Sequence, residues 1–440
     1  MHAMIDTNMY SFQAFCFHKM QYKDGQTVPT ARSGHRIVST HSDVYSYGGY
    51  KPVMDEDSDE DSDEDMELES DDQWLATKPL FKELWRFSYV TRQWTRQPLR
   101  GVPPPELASH CATLLDNKYL LVFGGTSFPF GETSSNRLSV CNLTTNEWKC
   151  ITNSDDNEAP IEMYGQALTI DRTSAHIYVC GGTTGHQYAI DVHRFDLQTH
   201  LWHCLYSRDI NFFEDLFPES RYRHAIVLHK NKLYVIGGGT SFQCFSLSTI
   251  PVFDIELRKW VSIESRSDLN AMTDEGDGYP KSRRCHDCIH IDDFVYLLGG
   301  TDNEMIFDDF WRLDLNVMQW TRLNARIPRA LYFHSSSVSP TGRLSVFGGV
   351  VNTNHIERTN ELFTAWLKIP TLKEMAFDAV LHYIHRNRNQ TKDNVKPIDE
   401  ILFDLQIPAN LRPEYSHRIP TQQPPQPTLN CTVSLTRLPA

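Results

Sequence analysis

The amino-acid sequence predicts an all-β fold, a closed ring of six blades, and three observations carry that reading. First, six apolar runs each end in paired glycines: VYSYGG to Gly49, LLVFGG to Gly125, IYVCGG to Gly182, LYVIGG to Gly238, VYLLGG to Gly300 and LSVFGG to Gly349. Runs rich in β-branched, aromatic and aliphatic residues read as buried strands, and paired glycines let the chain turn sharply at their ends. Second, each pair is followed by another strand-like segment: LWRF at Leu84, LSVC at Leu138, VHRFDL at Val192, PVFDI at Pro251, FWRLDL at Phe310 and ELFTAW at Glu361. Third, Trp94, Trp148, Trp202, Trp260 and Trp320 follow these segments at spacings of 54, 54, 58 and 60 residues. A repeat of that length holding several strands is one blade of a β-propeller.

Composition agrees with a folded chain and narrows its partners. The 440 residues are 40% hydrophobic and 22% charged, which excludes wholesale disorder, a collagen-like chain and a disulfide-dense miniprotein. The net charge of −14 is local: 13 of the 18 residues from 55 to 72 are Asp or Glu, and without them the chain is nearly neutral. Broad electrostatic attraction to nucleic acid or to an anionic membrane is therefore not expected. No apolar run reaches the 18 or so residues of a membrane helix, and the N-terminus lacks a secretory signal pattern. A reduced, intracellular protein, cytoplasmic and nuclear, is expected, with Cys16, Cys111, Cys141 and Cys180 packing as small hydrophobes.

The elements follow in chain order. Residues 1–29 form an N-terminal segment in which Tyr10, Phe12, Phe15 and Phe17 make an aromatic-rich extended stretch. A propeller must tie its ends together or leave open sheet edges, and blade six runs out of strand material near Trp366. Residues 8–18 are thus expected to supply its fourth strand. The propeller spans 30–366. An Arg-x-x-His step opens blades one, four and five, at Arg32 and His35, Arg221 and His224, Arg283 and His286. Blades two, three and six carry Leu107 and His110, Met163 and Gln166, Leu331 and His334, and are expected to lose an inter-blade arginine contact. An acidic insertion, 51–78, interrupts blade one; its self-repelling composition reads as a disordered excursion, with Ser58 and Ser62 each before three acidic residues.

After Trp366 the apolar period lengthens. Leu372, Met375, Ala376, Ala379, Val380, Tyr383 and Ile384 form one helical stripe, and Thr371 with Glu374 has capping-box spacing. Ile401, Leu402 and Leu405 indicate a shorter second helix that stops near Pro408, within a helical segment 367–411, before a Pro- and Gln-rich tail, 412–440, expected to be disordered.

The joint spacing of entrance Arg and His, diglycine, aromatic and tryptophan over about 30–366 resembles kelch repeats. Thr371, Leu372, Ala376 and Val380 resemble the elongin-binding box of cullin substrate receptors, with Ala376 in place of the usual cysteine, and Leu402, Leu405, Ile407, Pro408 and Leu411 resemble the cullin-2 box that follows it. The chain is therefore identified as similar to kelch-repeat substrate receptors of cullin-2 ubiquitin ligases. The resemblance implies a non-catalytic adaptor without cofactor or metal: the propeller holds a protein substrate while Leu372, Ala376, Val380, Leu402, Leu405 and Pro408 hold elongin B, elongin C and cullin-2.

It also implies where the substrate sits. In related receptors the residues between the entrance Arg and His, and those just after the diglycine, line a pocket for a substrate's C-terminal end, often glycine. The interior slots here are Ser33 and Gly34, Ala108 and Ser109, Tyr164 and Gly165, Tyr222 and Arg223, Arg284 and Cys285, Tyr332 and Phe333. A terminal carboxylate needs a bidentate cation or several N–H and hydroxyl donors. Arg223 and Arg284, from adjacent blades, are placed to fork onto one carboxylate, with Tyr164, Tyr222, Tyr332 and Phe333 as walls. Ser127, Thr183, Thr240, Ser241 and Thr301 are candidate hydroxyl donors.

Other readings compete. Cys285-His286-Asp287-Cys288 has zinc-type ligands, but no second Cys-x-x-Cys accompanies it and the run continues into a strand. Gly181-Gly182-Thr183-Thr184-Gly185 lacks the helix a phosphate loop needs. A copper oxidase on the same scaffold requires clustered Tyr, His and Cys ligands that the spacing does not provide. A ligase-independent scaffold in signalling or cytoskeletal complexes stays open.

Overall fold

The computed structural model describes residues 12–22, 25–52, 80–152, 156–208, 218–273, 276–354, 356–372, 374–376 and 378–380. Most of the acidic insertion, Tyr10, Leu402, Leu405, Pro408 and the tail lie outside them. The chain divides after Glu374 into two compact units.

The first unit is a six-bladed β-propeller. Blade one is an antiparallel meander of Arg36–Ser39, Asp43–Tyr47, Leu84–Ser88 and Gln93–Gln97. Blade two runs from Cys111–Leu115 to Glu147–Cys150, blade three from Ala167–Asp171 to Leu201–Tyr206, blade four from Ala225–His229 to Lys259–Glu264, and blade five from Asp287–Ile291 to Gln319–Arg326. Blade six takes Ser335–Val338, Arg343–Phe347 and Leu362–Trp366 from its own repeat. The fourth strand is His18–Lys19, whose residues pair with Thr364 and Phe363.

That closing ladder sits at the end of the 8–18 segment read from the aromatic pattern. A turn at Ala14 and Phe15, with φ of 57° at Phe15, breaks the extended chain, so pairing begins after it. Phe15 N–H donates to Trp366 O and Met20 N–H to Leu362 O, both at 2.8 Å. Phe17 then packs edge-on against Phe310 of blade five at 5.5 Å.

The core lies between blades. The second strand of each blade is buried on both faces, as in the wholly buried Asp43–Tyr47, because it meets a neighbouring blade on either side. The five repeat tryptophans are buried between sheets: Trp148 packs on Tyr47 of the preceding blade at 4.6 Å, and Trp202 on Phe123 at 5.3 Å. Fully burying one such side chain stabilises by about 2–3 kcal/mol.

The entrance motif divides its labour in a way the repeat pattern did not reveal. Arg32, Arg221 and Arg283 are buried and act inside their own blades. Each donates Nη1 to the carbonyl of the first glycine sixteen residues on, Gly48, Gly237 or Gly299, at 3.0 Å. Each guanidinium also stacks on a ring of that blade, Phe81, Phe245 or Phe307, at 4.1 to 4.4 Å. The expected inter-blade contact belongs instead to the histidines. His35 meets Phe347 O of blade six, and His286 meets Ile236 O of blade four, each through Nε2 at 3.1 Å. A Cβ on Gly237 would stand 2.7 Å from the His286 ring, and one on Gly238 2.5 Å from His224 Cβ. The diglycine is the slot between two successive entrance side chains, histidines except where Gln166 of blade three takes that place beside Gly124 and Gly182. Leu107, Met163 and Leu331 fill the arginine position with buried apolar side chains.

Of the C-terminal stripe, Leu372, 374–376 and 378–380 are helical. The Thr371 hydroxyl accepts from Glu374 N–H at 3.3 Å, the first half of the expected capping box. Leu372 is 81% exposed.

Candidate functional site

The entrance loops and the loops after the diglycines are knitted together on one face. The first interior slot of every blade bridges the residue that follows its diglycine: Ser33 with Tyr50, Ala108 with Thr126, Tyr164 with Thr183, Tyr222 with Gly239, Arg284 with Thr301, Tyr332 with Val350. The second slots close a ring of backbone hydrogen bonds around the axis. Ser109 N–H donates to Gly34 O (2.8 Å), Gly165 to Ser109 (3.0 Å), Arg223 to Gly165 (2.7 Å), Cys285 to Arg223 (3.1 Å), Phe333 to Cys285 (3.0 Å) and Gly34 to Phe333 (3.2 Å). All six have φ between 52° and 66°, a left-handed conformation that four of them hold while bearing side chains. Backbone held in that region by its surroundings is typical of ligand sites.

The ring is the floor of a cup. Below it, the central channel is a cavity of about 560 Å³ lined by innermost strands. Arg36 lies at the junction, donating Nε to His110 O at 3.0 Å and standing 3.9 Å from the Asp287 carboxylate. Burial raises the Asp287 carboxyl pKa, and Arg36 partly offsets this.

Above the floor, the wall residues read from sequence do come together. Arg223 of blade four stacks its guanidinium on Phe333 of blade six at 3.9 Å, with Tyr222 at 4.9 Å and Tyr164 of blade three at 6.0 Å. Its Nε–H is buried and finds no hydrogen-bond acceptor among the described residues. Arg284 approaches the same Tyr222 ring at 5.8 Å. Its terminal nitrogens, however, are used: one donates to Thr240 O and the other to Asn303 Oδ1 at 2.5 Å. The two arginines thus converge on Tyr222 but differ in freedom, so a symmetrical fork is not preformed. Among the described residues neither forms an ion pair, whereas Arg32, Arg221 and Arg283 pair with Glu83, Glu219 and Asp309.

Burial pushes the Tyr332 phenol up to about 12, with Cys285 adding to the rise and the guanidiniums of Arg358, Arg223 and Arg284 pulling the other way. Three cations therefore act on one ring. Arg358 escaped the sequence reading: it lies in the loop after the blade-six diglycine, donates Nε to Ser33 Oγ at 3.1 Å and stacks over Tyr50 at 5.0 Å. Tyr188 escaped it too. Its hydroxyl meets Ser241 Oγ at 2.6 Å and accepts from Ser241 N–H at 2.9 Å, so Ser241 is tied into the wall. The hydroxyls of Thr183 and Thr301 turn back onto Gln187 O and Met305 O of their own loops, at 2.7 and 2.6 Å. These two are loop braces rather than free donors.

The tips of four post-diglycine loops carry exposed apolar residues, Phe130, Phe242, Met305 and Ile356, with Phe242 91% exposed. An arginine-bearing aromatic cup with an apolar rim has the composition of a protein-binding surface. No group of three or more metal-ligating side chains occurs among the described residues, and Cys285 packs with Tyr332 and Val350.

The KLHDC2/KLHL20/DRC7 Kelch-repeats domain matches residues 73–272 and 211–376. The chain is 39% identical to Kelch domain-containing protein 10 of Rattus norvegicus over 357 residues, covering 81% of this chain and 80% of that protein. Against the Homo sapiens protein of the same name the identity is 39%, over 81% of this chain and 75% of its length. The Kelch domain-containing protein 10 homolog of Drosophila melanogaster is 34% identical over 94% of this chain and 68% of that protein.

Proposed function

Because the chain belongs to the kelch-repeat propeller family of Kelch domain-containing protein 10, we propose that it is the substrate-recognition adaptor of a cullin-2, elongin B and elongin C ubiquitin ligase. In this reading the cup grips the C-terminal end of a target protein, glycine above all, and the C-terminal helix recruits the ligase. The adaptor itself does no bond-making chemistry; it raises the concentration of target lysines near a ubiquitin-loaded enzyme.

The observation that carries the proposal is the state of Arg223. A guanidinium on an aromatic stack, lacking an ion pair among the described residues and with a buried unsatisfied Nε–H, is poised for an incoming anion. A chain terminus supplies one carboxylate, and its last residue must fit against a floor of backbone, which favours glycine. Arg284 holds the loops at Thr240 and Asn303 that flank the cup, and Tyr164, Tyr222, Tyr332 and Phe333 wall the preceding residues. The recruiting half rests on the resemblance of Leu372, Ala376 and Val380 to the elongin-binding box. Exposure of Leu372 at a capped helix start supports it.

Affinity purification from cells tests the assignment. The native protein is expected to bring down elongin B, elongin C and cullin-2; Leu372→Asp, at an exposed position, is expected to lose all three while keeping its cargo. Absence of elongin from both samples refutes the adaptor role and leaves a kelch scaffold.

A further inference from the structure

We propose that Gly165 is a specificity-determining position of the cup, because its missing side chain is what aims Arg223. The inference rests on the reading of the cup as a carboxylate receptor, but its central geometric claim can be tested without any ligand. The six ring positions share one left-handed conformation, with φ of 65° at Gly34, 55° at Ser109, 66° at Gly165, 55° at Arg223, 56° at Cys285 and 52° at Phe333. Backbone conformation alone therefore does not reserve this position for glycine.

Space does. A Cβ built on Gly34 meets only Ser109 N at 3.4 Å and Ser109 Oγ at 3.6 Å, ordinary contacts that leave room. A Cβ on Gly165 meets Tyr222 Cδ2 at 3.2 Å and Arg223 Cγ at 3.3 Å. The bare Cα of Gly165 is the surface on which the Arg223 stem and the Tyr222 ring lie. The Gly165 carbonyl also accepts the Arg223 N–H at 2.7 Å, so the residue fixes both ends of the stem's starting geometry. From there the guanidinium reaches past blade five to the Phe333 ring. A side chain at 165 presses on the stem at Cγ, which must give by a few tenths of an ångström, and a tilt there is amplified over the remaining bonds to Nη. The cation then leaves the ring and no longer faces the floor where a terminal carboxylate arrives. Gly165 is a positioning residue: it touches Arg223 and Tyr222, and through them sets the discrimination between a charged and a neutral chain end.

The test compares Gly165→Ala with Gly25→Ala, which pays the same left-handed conformational cost (φ 74°) outside the cup, at a site where a Cβ meets nothing within 4 Å. Two readouts are taken. In ligand-free protein labelled at arginine Nε, the Arg223 resonance, assigned by its loss in Arg223→Lys, is expected to carry a ring-current shift from Phe333. Gly165→Ala should abolish that shift and Gly25→Ala should retain it. In binding assays with a glycine-ended peptide as free acid and as C-terminal amide, the native acid-over-amide ratio of about tenfold or more, typical of a charge-assisted hydrogen bond, should fall to near one in Gly165→Ala only. An unchanged Arg223 resonance in Gly165→Ala, or equal losses in both variants, overturns the proposal. A native protein that binds acid and amide alike overturns the carboxylate reading and the specificity claim with it, while the resonance still decides whether Gly165 aims Arg223.

Discussion

Arg223 and Phe333 come from blades four and six, yet the guanidinium carbon lies 3.9 Å from the ring centroid. The contact spans the edge of the axial opening and couples two loops that share no strand. A stacked cation of this kind gains about 1 kcal/mol, or roughly fivefold in an equilibrium constant. Phe333→Leu keeps every formal charge in the cup but removes the platform. Its affinity for a glycine-ended peptide, read by fluorescence anisotropy, should fall about fivefold with little change in thermal midpoint.

The entrance arginines should separate by the burial of their acids. Arg283 is fully buried and donates to Asp309 at 2.5 and 2.9 Å, and the carboxylate is itself largely enclosed. Truncation leaves that charge buried without its partner, at a cost of about 3–5 kcal/mol. Arg221 pairs with Glu219, whose side chain is 71% exposed and is rehydrated when the pair is broken. Urea unfolding should show Arg283→Ala losing clearly more stability than Arg221→Ala.

Acid should unfold the ring through its histidines. Burial holds His110, His224, His286 and His334 at about 3, against an ordinary value of 6.5, and pushes His35 well below that value as well. The unfolded chain binds these protons first, so stability is full above about pH 6.5 and is lost as pH falls towards 3, by about 1.4 kcal/mol per pH unit for each histidine. Blade three already carries Gln166 at the equivalent place, where its Nε2 donates to Met163 O at 2.7 Å. His110→Gln should fold at neutral pH and flatten the pH dependence of the unfolding free energy by one proton.

Closure by a two-residue ladder makes the N-terminal segment a limited but decisive clasp. Phe15 rests on Tyr296, Phe17 on Phe310, and Tyr22 on Trp94, so one short segment touches blades five and one. Phe17→Ala should cost about 2 kcal/mol, because its ring is only partly buried. Removal of residues 1–22 exposes the Leu362–Trp366 edge and should make the protein aggregate and become protease-sensitive.

The ring was legible in the sequence because every blade repeats the same steric demands. A diglycine must fit between two entrance side chains, histidines except for Gln166 of blade three, and in five blades a tryptophan must fill the space between sheets; neither the glycine nor the tryptophan position tolerates much else. The division between arginine and histidine was not legible, since a spacing of three residues does not say which partner lies in the neighbouring blade. The cup was half legible. Arg223, Tyr222, Tyr164 and Phe333 occupy fixed offsets from the repeat, so their convergence follows from it. Arg358 sits in the loop after the blade-six diglycine and Tyr188 opens the strand Tyr188–Asp196 just beyond such a loop; those loops differ in length from blade to blade, and no offset marks either residue. Thr183 and Thr301 have the right chemistry for a ligand, but short turns use their hydroxyls first. Positive φ at Phe15 moved the closing strand downstream, and alternation alone cannot register such a turn.

The measurement that bears most directly on the cup is a pair of dissociation constants for one glycine-ended peptide, as free acid and as amide, on the native protein and on Arg223→Ala. The acid should bind about ten- to a hundredfold tighter than the amide, and Arg223→Ala should lower acid binding to the amide level without shifting the thermal midpoint by more than a few degrees. Equal binding of acid and amide by the native protein, or full retention of the preference in Arg223→Ala, contradicts the account.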